Sequence, residues 1–419
     1  MISTADAATW GIAALAIFGV IARPWNLPEF IWAVAGAALL VVLNLLPWQD
    51  ALAAAGKGTD VYFFLAGMML LAEVARKEAL FDWLAAQAVR SSRGSAKRLF
   101  LIVYVVGTVV TVLLSNDATA VVLTPAVYAA TRAAKVEPLP YLFVCAFIAN
   151  AASFVLPISN PANLVVFGKA MPPLADWLRA FALPSLAAIA ATYFALRLTQ
   201  RRAIDGGVAA VGAIAPLTRA GKLAAIGILA TAIVLLTASA MERDLGLPTF
   251  IAGAAVTALV LAVGRQSLWP VLSDISWSVL PLVAGLFILV EGMNRTGVLP
   301  ALARVLRQAS TTSPQLTSWI AGVVVAVASN LLNNLPVGLI AATTGQAAQV
   351  PRHVLGAILI GVDLGPNLSV TGSLATILWL IVLRREGEHV GAGQFLRLGL
   401  IVMPPALLLS LAALAIAAP

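Results

Sequence analysis

The sequence has few charged residues and few of the side chains that bind metals or catalyse reactions. Only 11% of its 419 residues are charged, and it holds two histidines and one cysteine. The lone Cys145 excludes an intrachain disulfide framework and a site with several thiolates from one chain. His353 and His389 alone offer no convincing metal site. No Walker sequence, glycine-rich nucleotide loop or Ser/His/Asp constellation is present, so we expect neither a cofactor nor an enzyme.

Long apolar runs make up most of the chain instead. Hydrophobic residues account for 61% of the sequence and the mean hydropathy is +0.98, which is typical of a polytopic membrane protein. The net charge of +8 comes from short basic clusters between the runs, a pattern typical of cytoplasmic loops and not of a nucleic-acid-binding surface. Since a crossing needs about 20 apolar residues, membrane spans are predicted at 7–23, 28–47, 59–76, 139–168, 174–197, 222–241, 248–264, 275–295, 354–383 and 396–417.

An internal repeat relates the two halves of the chain. Leu65-Ala66-Gly67 recurs as Val283-Ala284-Gly285, and Asn116 recurs as Asn334, in both cases at an offset of 218 residues. The predicted domains are accordingly an N-terminal transmembrane repeat, a linker and a C-terminal transmembrane repeat, at 1–197, 198–221 and 222–419.

The relation between the halves depends on two segments, 98–133 and 316–350, that are apolar at both ends and polar at the middle. Each is either two full crossings, which gives parallel repeats, or one re-entrant hairpin, which inverts the second half relative to the first. Hairpins with the N-terminus outside place most of the basic residues in cytoplasmic loops. The predicted fold class is therefore an all-α polytopic membrane protein of two inverted repeats. Each repeat has about five transmembrane helices plus one re-entrant hairpin, with broken helices at the midplane.

Polar side chains interrupt four apolar segments: the two hairpin tips and two places, within 150–166 and 363–379, where proline and glycine break a run. A broken helix exposes backbone groups that are tolerated at membrane depth only where they face a cavity, protein or a ligand. The predicted substrate-binding residues are Ser115, Asn116, Ser159, Asn160, Asn163, Asn333, Asn334, Asn367, Thr371 and Ser373. Their amides and hydroxyls suit a neutral polyhydroxylated solute or an ion held by oxygen atoms. The alternative is that they only hydrogen-bond helices together.

Two acidic residues, Asp117 and Asp363, lie well inside apolar segments, and no Lys or Arg is predicted to lie beside them there. A carboxyl group buried without a cationic partner favours its neutral form and can take up and release protons. Both aspartates are therefore predicted to carry protons. The alternative is that each caps a helix N-terminus. The symmetry-related Glu73 and Glu291 lie near helix ends beside basic residues, which favours interfacial ion pairs.

The segments LLSNDATAVVLTP, LPISNPANLVVFG, SNLLNNLPVGL and GPNLSVTGSLATILWL resemble the arsenite/antimonite efflux permeases of the ion transporter superfamily, in order and over essentially the whole chain. Sodium/proton antiporters and dicarboxylate carriers share that architecture. The resemblance implies export of arsenite and antimonite from the cytoplasm in exchange for protons, by alternating access across the bacterial inner membrane. It also favours the re-entrant hairpins and implies a soluble cytoplasmic ATPase subunit as a partner in some members.

The charge of each candidate substrate narrows the choice among the substrates of that superfamily. Arsenite at neutral pH is mostly the uncharged trihydroxide, which needs hydrogen bonds but no counter-charge. A dicarboxylate would need fixed cations or bound sodium, and no basic residue belongs to the polar core that these motifs form. A sodium/proton antiporter stays open as the alternative, because aspartates and broken-helix carbonyls also suit sodium. An intramembrane aspartyl hydrolase, which also needs two buried aspartates, is disfavoured because Asp117 and Asp363 lack the GxGD setting.

Overall fold

The described part of the protein is built from helices. The computed structural model describes residues 3–209 and 215–417. These residues form twenty α-helices: α1 (Thr4–Ala22), α2 (Glu29–Val42), α3 (Trp48–Gly56), α4 (Thr59–Lys77), α5 (Leu80–Ser91), α6 (Ala96–Leu113), α7 (Thr124–Ala133), α8 (Leu139–Ala151), α9 (Pro161–Phe167), α10 (Leu174–Thr199), α11 (Arg219–Ala240), α12 (Gly246–Gly264), α13 (Trp269–Asp274), α14 (Val279–Arg295), α15 (Val298–Thr312), α16 (Pro314–Leu332), α17 (Asn334–Ala348), α18 (Arg352–Leu364), α19 (Leu374–Arg385) and α20 (Ala392–Ala417).

The lengths and apolar surfaces of these helices fit a multi-pass membrane protein. Within the described ranges, seven helices are long and apolar enough to cross a membrane: α1, α6, α10, α11, α12, α16 and α20. Two bent pairs raise the number to nine if each is one span, α3 with α4 at 49° and α14 with α15 at 77°. The predicted spans 139–168 and 354–383 are each broken into two helices. The predicted all-α polytopic class is confirmed.

The second half repeats the helix order of the first, with α11 to α20 following the pattern of α1 to α10. The packing is also reciprocal, because α4 of the first half lies on α12 and α14 of the second half lies on α2. Two close crossings hold these pairs. A Cβ atom on Gly253 would lie 2.9 Å from the Cα atom of Gly67, and one on Gly285 would lie 2.7 Å from the carbonyl carbon of Ala33. Both crossings therefore need glycine, and they join equivalent positions of the repeat; inversion of one half relative to the membrane stays a prediction.

Ion pairs at the helix ends join α4 to α13 and α14 to the end of α3. Glu73 accepts from Arg76 at 2.6 Å, and Lys77 pairs with Asp274 at the end of α13 at 3.0 Å. The equivalent set in the other half includes Lys57 with Glu291 at 2.8 Å, and it also joins α14 to α3. The predicted ion pairs of Glu73 and of Glu291 with basic residues are confirmed. Because the basic partners are partly exposed, we expect each pair to contribute little, about 1 kcal/mol or less.

The predicted linker, 198–221, is only partly described, since 210–214 lie outside the described residues. Before that gap the chain folds back on the start of α6, where Val208 N donates to the Gly94 carbonyl at 3.0 Å. A hydrogen bond and charge from Lys97 hold the pKa of Asp205 below its usual range. The division of the chain at this linker stays a prediction.

The helices pack into two groups. We call α1 to α4 with α11 to α14 the frame, and α6 to α10 with α16 to α20 the hairpin body, because the members of each group pack chiefly with one another. In the hairpin body, α10 lies along α20, α18 along α16, and α9 against α17. The helices α5 and α15 connect the two groups and pack on α7 and α17. Each group draws its helices from both halves of the chain.

Candidate functional site

The predicted first hairpin turns at a short polar tip between α6 and α7, and its re-entrant course in the membrane stays a prediction. The Ser115 hydroxyl accepts from Ala118 N at 3.2 Å, and the Asn116 amide oxygen accepts from Asp117 N at 2.9 Å. These bonds satisfy backbone donors that have no partner at the start of a helix. The chain then continues through one π-helical segment, Ala118–Leu123, into α7. The tip therefore presents Asn116 and Asp117 at a helix start.

The second hairpin turns at Asn333, between α16 and α17. This residue has a φ of 69° and a ψ of 150°, a conformation usually reserved for glycine, and its side-chain oxygen accepts from Leu335 N at 3.3 Å. The next residue, Asn334, donates its backbone N–H to the Gly372 carbonyl at 2.8 Å. The second tip is thereby tied to the break between α18 and α19.

The two broken helices restart at capped N-termini. Asn160 accepts from Ala162 N at 3.0 Å, and the first residue of α9 is Pro161, whose missing N–H costs nothing at that position. In the second half, Ser373 accepts from Thr376 N at 3.1 Å and begins α19. Each restart is preceded by a short 3₁₀ turn, Pro157–Ser159 or Gly365–Leu368. The local sequence thus ends one helix and starts the next inside a single apolar segment.

The two hairpin tips and the two restarts meet at one cavity of ≈ 410 Å³, including the space open at its mouth. Its lining consists of Val61, Leu65, Asn116, Asp117, Asn160, Pro161, Val279, Val283, Asn334, Leu335, Ser373, Leu374 and Ala375. Most of these residues come in equivalent pairs, since Val61, Leu65 and Asn116 correspond to Val279, Val283 and Asn334 at the offset of 218. The sequence repeat therefore appears in three dimensions as two facing halves of one cavity.

The cavity lies between the frame and the hairpin body, and the two groups line it differently. The frame contributes only aliphatic side chains, Val61 and Leu65 from α4 with Val279 and Val283 from α14. The hairpin body contributes every polar side chain in the lining. One side of the cavity can therefore hydrogen-bond a solute, and the other can only pack against it.

The electrostatics of the cavity are set by one carboxylate and several helix N-termini. Asp117 is the one ionisable side chain among the lining residues, and its equivalent in the second half is Leu335. No ion pair among the described residues includes Asp117 or Asp363. The starts of α9, α17 and α19 reach the cavity, and helix N-termini carry partial positive charge. The site thus favours electron-rich oxygen atoms without offering a full positive charge.

Asp363 lies behind the cavity lining and contacts it through Asn160. The Asn160 side-chain N–H₂ donates to Asp363 Oδ1 at 2.8 Å, while Asp363 Oδ2 is buried without a hydrogen-bond partner among the described residues. Neither aspartate caps a helix, since Asp117 makes no side-chain capping bond and Asp363 lies in the last turn of α18. The capping alternative for the two aspartates is therefore wrong.

Several predicted site residues hold the breaks in shape instead of lining the cavity. The Asn163 side chain donates to the carbonyls of Ser153, Leu156 and Pro157 at 2.9, 3.1 and 3.2 Å. The Ser159 hydroxyl donates to the Val112 carbonyl at 3.2 Å. The Asn163 bonds satisfy carbonyls that the broken helix leaves free, and the Ser159 bond ties the break to the last turn of α6.

The second half does the same with fewer bonds. The Asn333 side chain donates to the Thr371 carbonyl at 3.4 Å, and the Thr371 hydroxyl donates to the Asn330 carbonyl at 3.0 Å. Together with Ser115, which caps the first tip, these residues lie next to the cavity and not in its lining. Of the predicted substrate-binding set, Asn116, Asn160, Asn334 and Ser373 line the cavity, and their substrate contacts stay a prediction.

One buried pair was missed at the sequence level. Asn150, at the end of α8, donates to the side-chain oxygen of Asn367 at 2.9 Å, and Asn367 donates to the Phe147 carbonyl at 3.0 Å. Asn150 lies in the last turn of α8, as Asp363 lies in the last turn of α18, so these two residues are equivalent in the repeat. Asn367 was predicted to bind substrate, but it lies outside the lining, in the second break, and its bond with Asn150 joins the two halves. The signal that could have identified Asn150 was an amide inside an apolar run, directly before the first break.

Comparison with known proteins places the chain among transporters. Residues 13–361 match a family model described as "CitMHS: Citrate transporter". An arsenical pump membrane protein of Yersinia enterocolitica is 30% identical over 81% of this chain and 82% of its own length, and one of Escherichia coli K12 has the same values. An uncharacterized transporter of Mycobacterium tuberculosis, Rv2684, is 26% identical over 88% of this chain and 89% of its own length.

Solved structures share the fold at low sequence identity. The YdaH transporter of Alcanivorax borkumensis, whose topology is described as unusual, superposes with a TM-score of 0.58 at 16% identity, covering 88% of this chain and 87% of that one. MtrF of Neisseria gonorrhoeae, assigned to a class of antimetabolite efflux pumps, superposes with a TM-score of 0.51 at 12% identity over 88% and 85%. At these identities the similarity shows the fold alone.

The helical fold and the polar cavity between its two helix groups define a multi-pass transporter of the bacterial inner membrane. Within that class, the chain belongs to the arsenical efflux permease family. The citrate transporter family model also matches most of this chain. The family resemblance of the four sequence segments is confirmed.

Proposed function

We propose that this protein exports arsenite and antimonite from the cytoplasm as neutral trihydroxides, in exchange for protons, by alternating access. The relatives named arsenical pump membrane proteins support the substrate, because they cover most of the chain at 30% identity. The single observation that carries the proposal is the cavity itself. It gathers Asn116, Asn160, Asn334 and Ser373 around a volume that no Lys or Arg lines.

The cavity chemistry suits a neutral trihydroxide. Each asparagine amide offers donors and an acceptor, and a serine hydroxyl offers both, so three substrate hydroxyls can each be given a partner. Citrate, the substrate in the description of the family model, fits less well because its negative charges would meet the Asp117 carboxylate with no Lys or Arg in the lining. We therefore assign Asn116, Asn160, Asn334 and Ser373 to substrate binding.

Proton coupling is assigned to Asp117 and Asp363. Asp117 can exchange a proton directly with the cavity, and Asp363 sits one hydrogen bond behind it, on Asn160. A carboxyl group at membrane depth without a cation is costly when ionised, so it is a natural proton carrier. Substrate and proton then bind to neighbouring but different side chains.

Alternating access is assigned to relative motion of the frame and the hairpin body. All polar lining residues move with the hairpin body, whereas the frame presents only aliphatic side chains. An aliphatic surface breaks no hydrogen bond with the solute when the other group slides past it. The cavity can in this way be carried from one side of the frame to the other with its polar contacts intact.

The test is transport into inside-out vesicles that contain this protein and no ATPase subunit. We expect arsenite and antimonite to accumulate when the vesicle interior is acidic, and a protonophore to abolish accumulation. Parallel vesicles receive sodium or citrate as the only test solute. Proton-coupled movement of sodium, without movement of arsenite, would favour the sodium/proton antiporter and overturn the proposal.

Asp363→Asn gives a separate prediction. Asparagine can still accept from Asn160 through its side-chain oxygen, so we expect the variant to fold and to bind arsenite within about threefold of wild type. It cannot carry a proton at that position, so uptake driven by the proton gradient is expected to fall about tenfold or more. Uptake in inside-out vesicles checks this, with Asp60→Asn as the matched exchange at a residue outside the cavity lining. Undiminished proton-driven uptake would remove Asp363 from the coupling mechanism.

A further inference from the structure

The aliphatic side of the cavity has a role of its own in substrate selection. Resting on the proposed function, we infer that Val61 and Val279 select trivalent metalloids by packing against the face of the substrate that has no hydroxyl group. Specificity is thereby assigned to two side chains that make no hydrogen bond.

The inference begins with the placement of the two valines. Val61 lies on α4 and Val279 on α14, at equivalent positions of the repeat, and Leu65 and Val283 lie one turn further along the same helices. They form an aliphatic wall contributed by both halves. The polar residues Asn116, Asn160, Asn334 and Ser373 come from the hairpin body on the other side. A bound solute therefore meets two surfaces of opposite character.

The shape of the substrate has the same division. Arsenite and antimonite are pyramidal, with three hydroxyl groups on one side of the central atom and a lone pair on the other. Facing the hydroxyls toward the hairpin body gives each a hydrogen-bonding partner, and the lone-pair side then needs none. The aliphatic wall can cover that side without leaving a buried polar group unpaired.

The same wall rejects solutes of other shapes. Arsenate and phosphate are tetrahedral anions, so one oxygen atom would point at the valines without a partner and with charge. Boric acid is neutral and has three hydroxyls, but it is planar, so its hydroxyls cannot all turn to one side. An apolar surface rejects a solute that places an added hydroxyl group against it by about 100-fold, and a charge placed there without a partner costs more. The cavity therefore distinguishes a pyramidal trihydroxide from solutes with similar groups.

A change of polarity without a change of volume tests the inference. Val61→Thr and Val279→Thr, made singly and together, place hydroxyl groups in the wall at nearly constant size, whereas Val61→Ala with Val279→Ala keeps the wall apolar but smaller. Binding of arsenite and antimonite to the purified full-length protein is measured by calorimetry. We expect the double threonine variant to bind arsenite about tenfold more weakly than wild type, and the double alanine variant to stay within about threefold.

Controls separate the inference from folding and from the proposed function. Val34→Thr places the same change on an exposed part of α2, where 41% of the residue is accessible, and should leave binding unchanged. Arsenite bound to the wild-type protein should be displaced by antimonite but not by equal concentrations of boric acid or arsenate. Equal weakening by threonine and alanine, or displacement by boric acid, would overturn the role of the wall while leaving export intact. A wild-type protein that binds no arsenite would overturn the proposed function and this inference together.

Discussion

Asp117→Asn is expected to lose arsenite uptake driven by a proton gradient by about 100-fold, the lower end of what loss of a positioned proton carrier costs. Asparagine has the same shape and can fill the same place at the hairpin tip, but its amide group does not ionise and so cannot carry a proton. Asp117 is the one ionisable side chain in the lining, and its equivalent, Leu335, offers no substitute. Initial rates in inside-out vesicles with an acidic interior provide the measurement.

Two controls make the result specific for coupling. Exchange of labelled against unlabelled arsenite without a proton gradient should survive in Asp117→Asn, because the amides that bind the substrate are unchanged. Asp60→Asn is the matched variant, since Asp60 lies in the first turn of α4 and accepts from Gly246 N at 2.6 Å without lining the cavity. Proton-driven uptake at the wild-type rate in Asp117→Asn would show that the proton follows another route.

Gly285→Leu is expected to prevent assembly of the frame. The Cβ atom alone would lie 2.7 Å from the carbonyl carbon of Ala33, which is backbone and cannot rotate away, so α14 and α2 must separate. Overpacking of a tight contact costs about 1–3 kcal/mol and more where backbone must move. We expect little folded protein in membranes, and a thermal unfolding midpoint lowered by about 3 °C or more in what remains.

The matched variant for this prediction is Gly11→Leu. Gly11 lies on α1 and has no atom within 4 Å of its Cβ position, so leucine there adds volume to open space. Its yield and unfolding midpoint should equal those of wild type. Equal damage from both substitutions would mean that glycine is needed for helix formation or insertion, and not for the crossing of α14 with α2.

The repeat is the part of the architecture that the sequence predicts best. Asn116 and Asn334 are recognisable as equivalent because polar residues are rare in apolar segments and share one offset with Leu65-Ala66-Gly67 and Val283-Ala284-Gly285. The structure brings the two asparagines to one cavity. Proline and glycine likewise predict the breaks in 150–166 and 363–379, since both residues interrupt a helix by known backbone effects.

The aliphatic wall was not predictable from the residues that form it. Val61 and Val279 look like any valine in a membrane helix, and only the packing of α4 and α14 beside the hairpin body turns them toward a cavity. The sequence also did not predict which polar residues line the cavity and which only hold the backbone. Asn160 and Asn163 lie three positions apart at one break, yet the first lines the cavity and the second binds three carbonyls. Local sequence does not encode which way a side chain points at an irregular turn.

The most direct measurement is the position of the substrate itself. Crystals of the wild-type protein grown with arsenite, measured above and below the arsenic absorption edge, locate arsenic by its anomalous signal. The account predicts one strong peak between Asn116, Asn334, Asn160 and Ser373, with the arsenic atom nearest to Val61 and Val279 on its remaining side. A peak outside this cavity, or contacts made by Lys or Arg side chains, would contradict it.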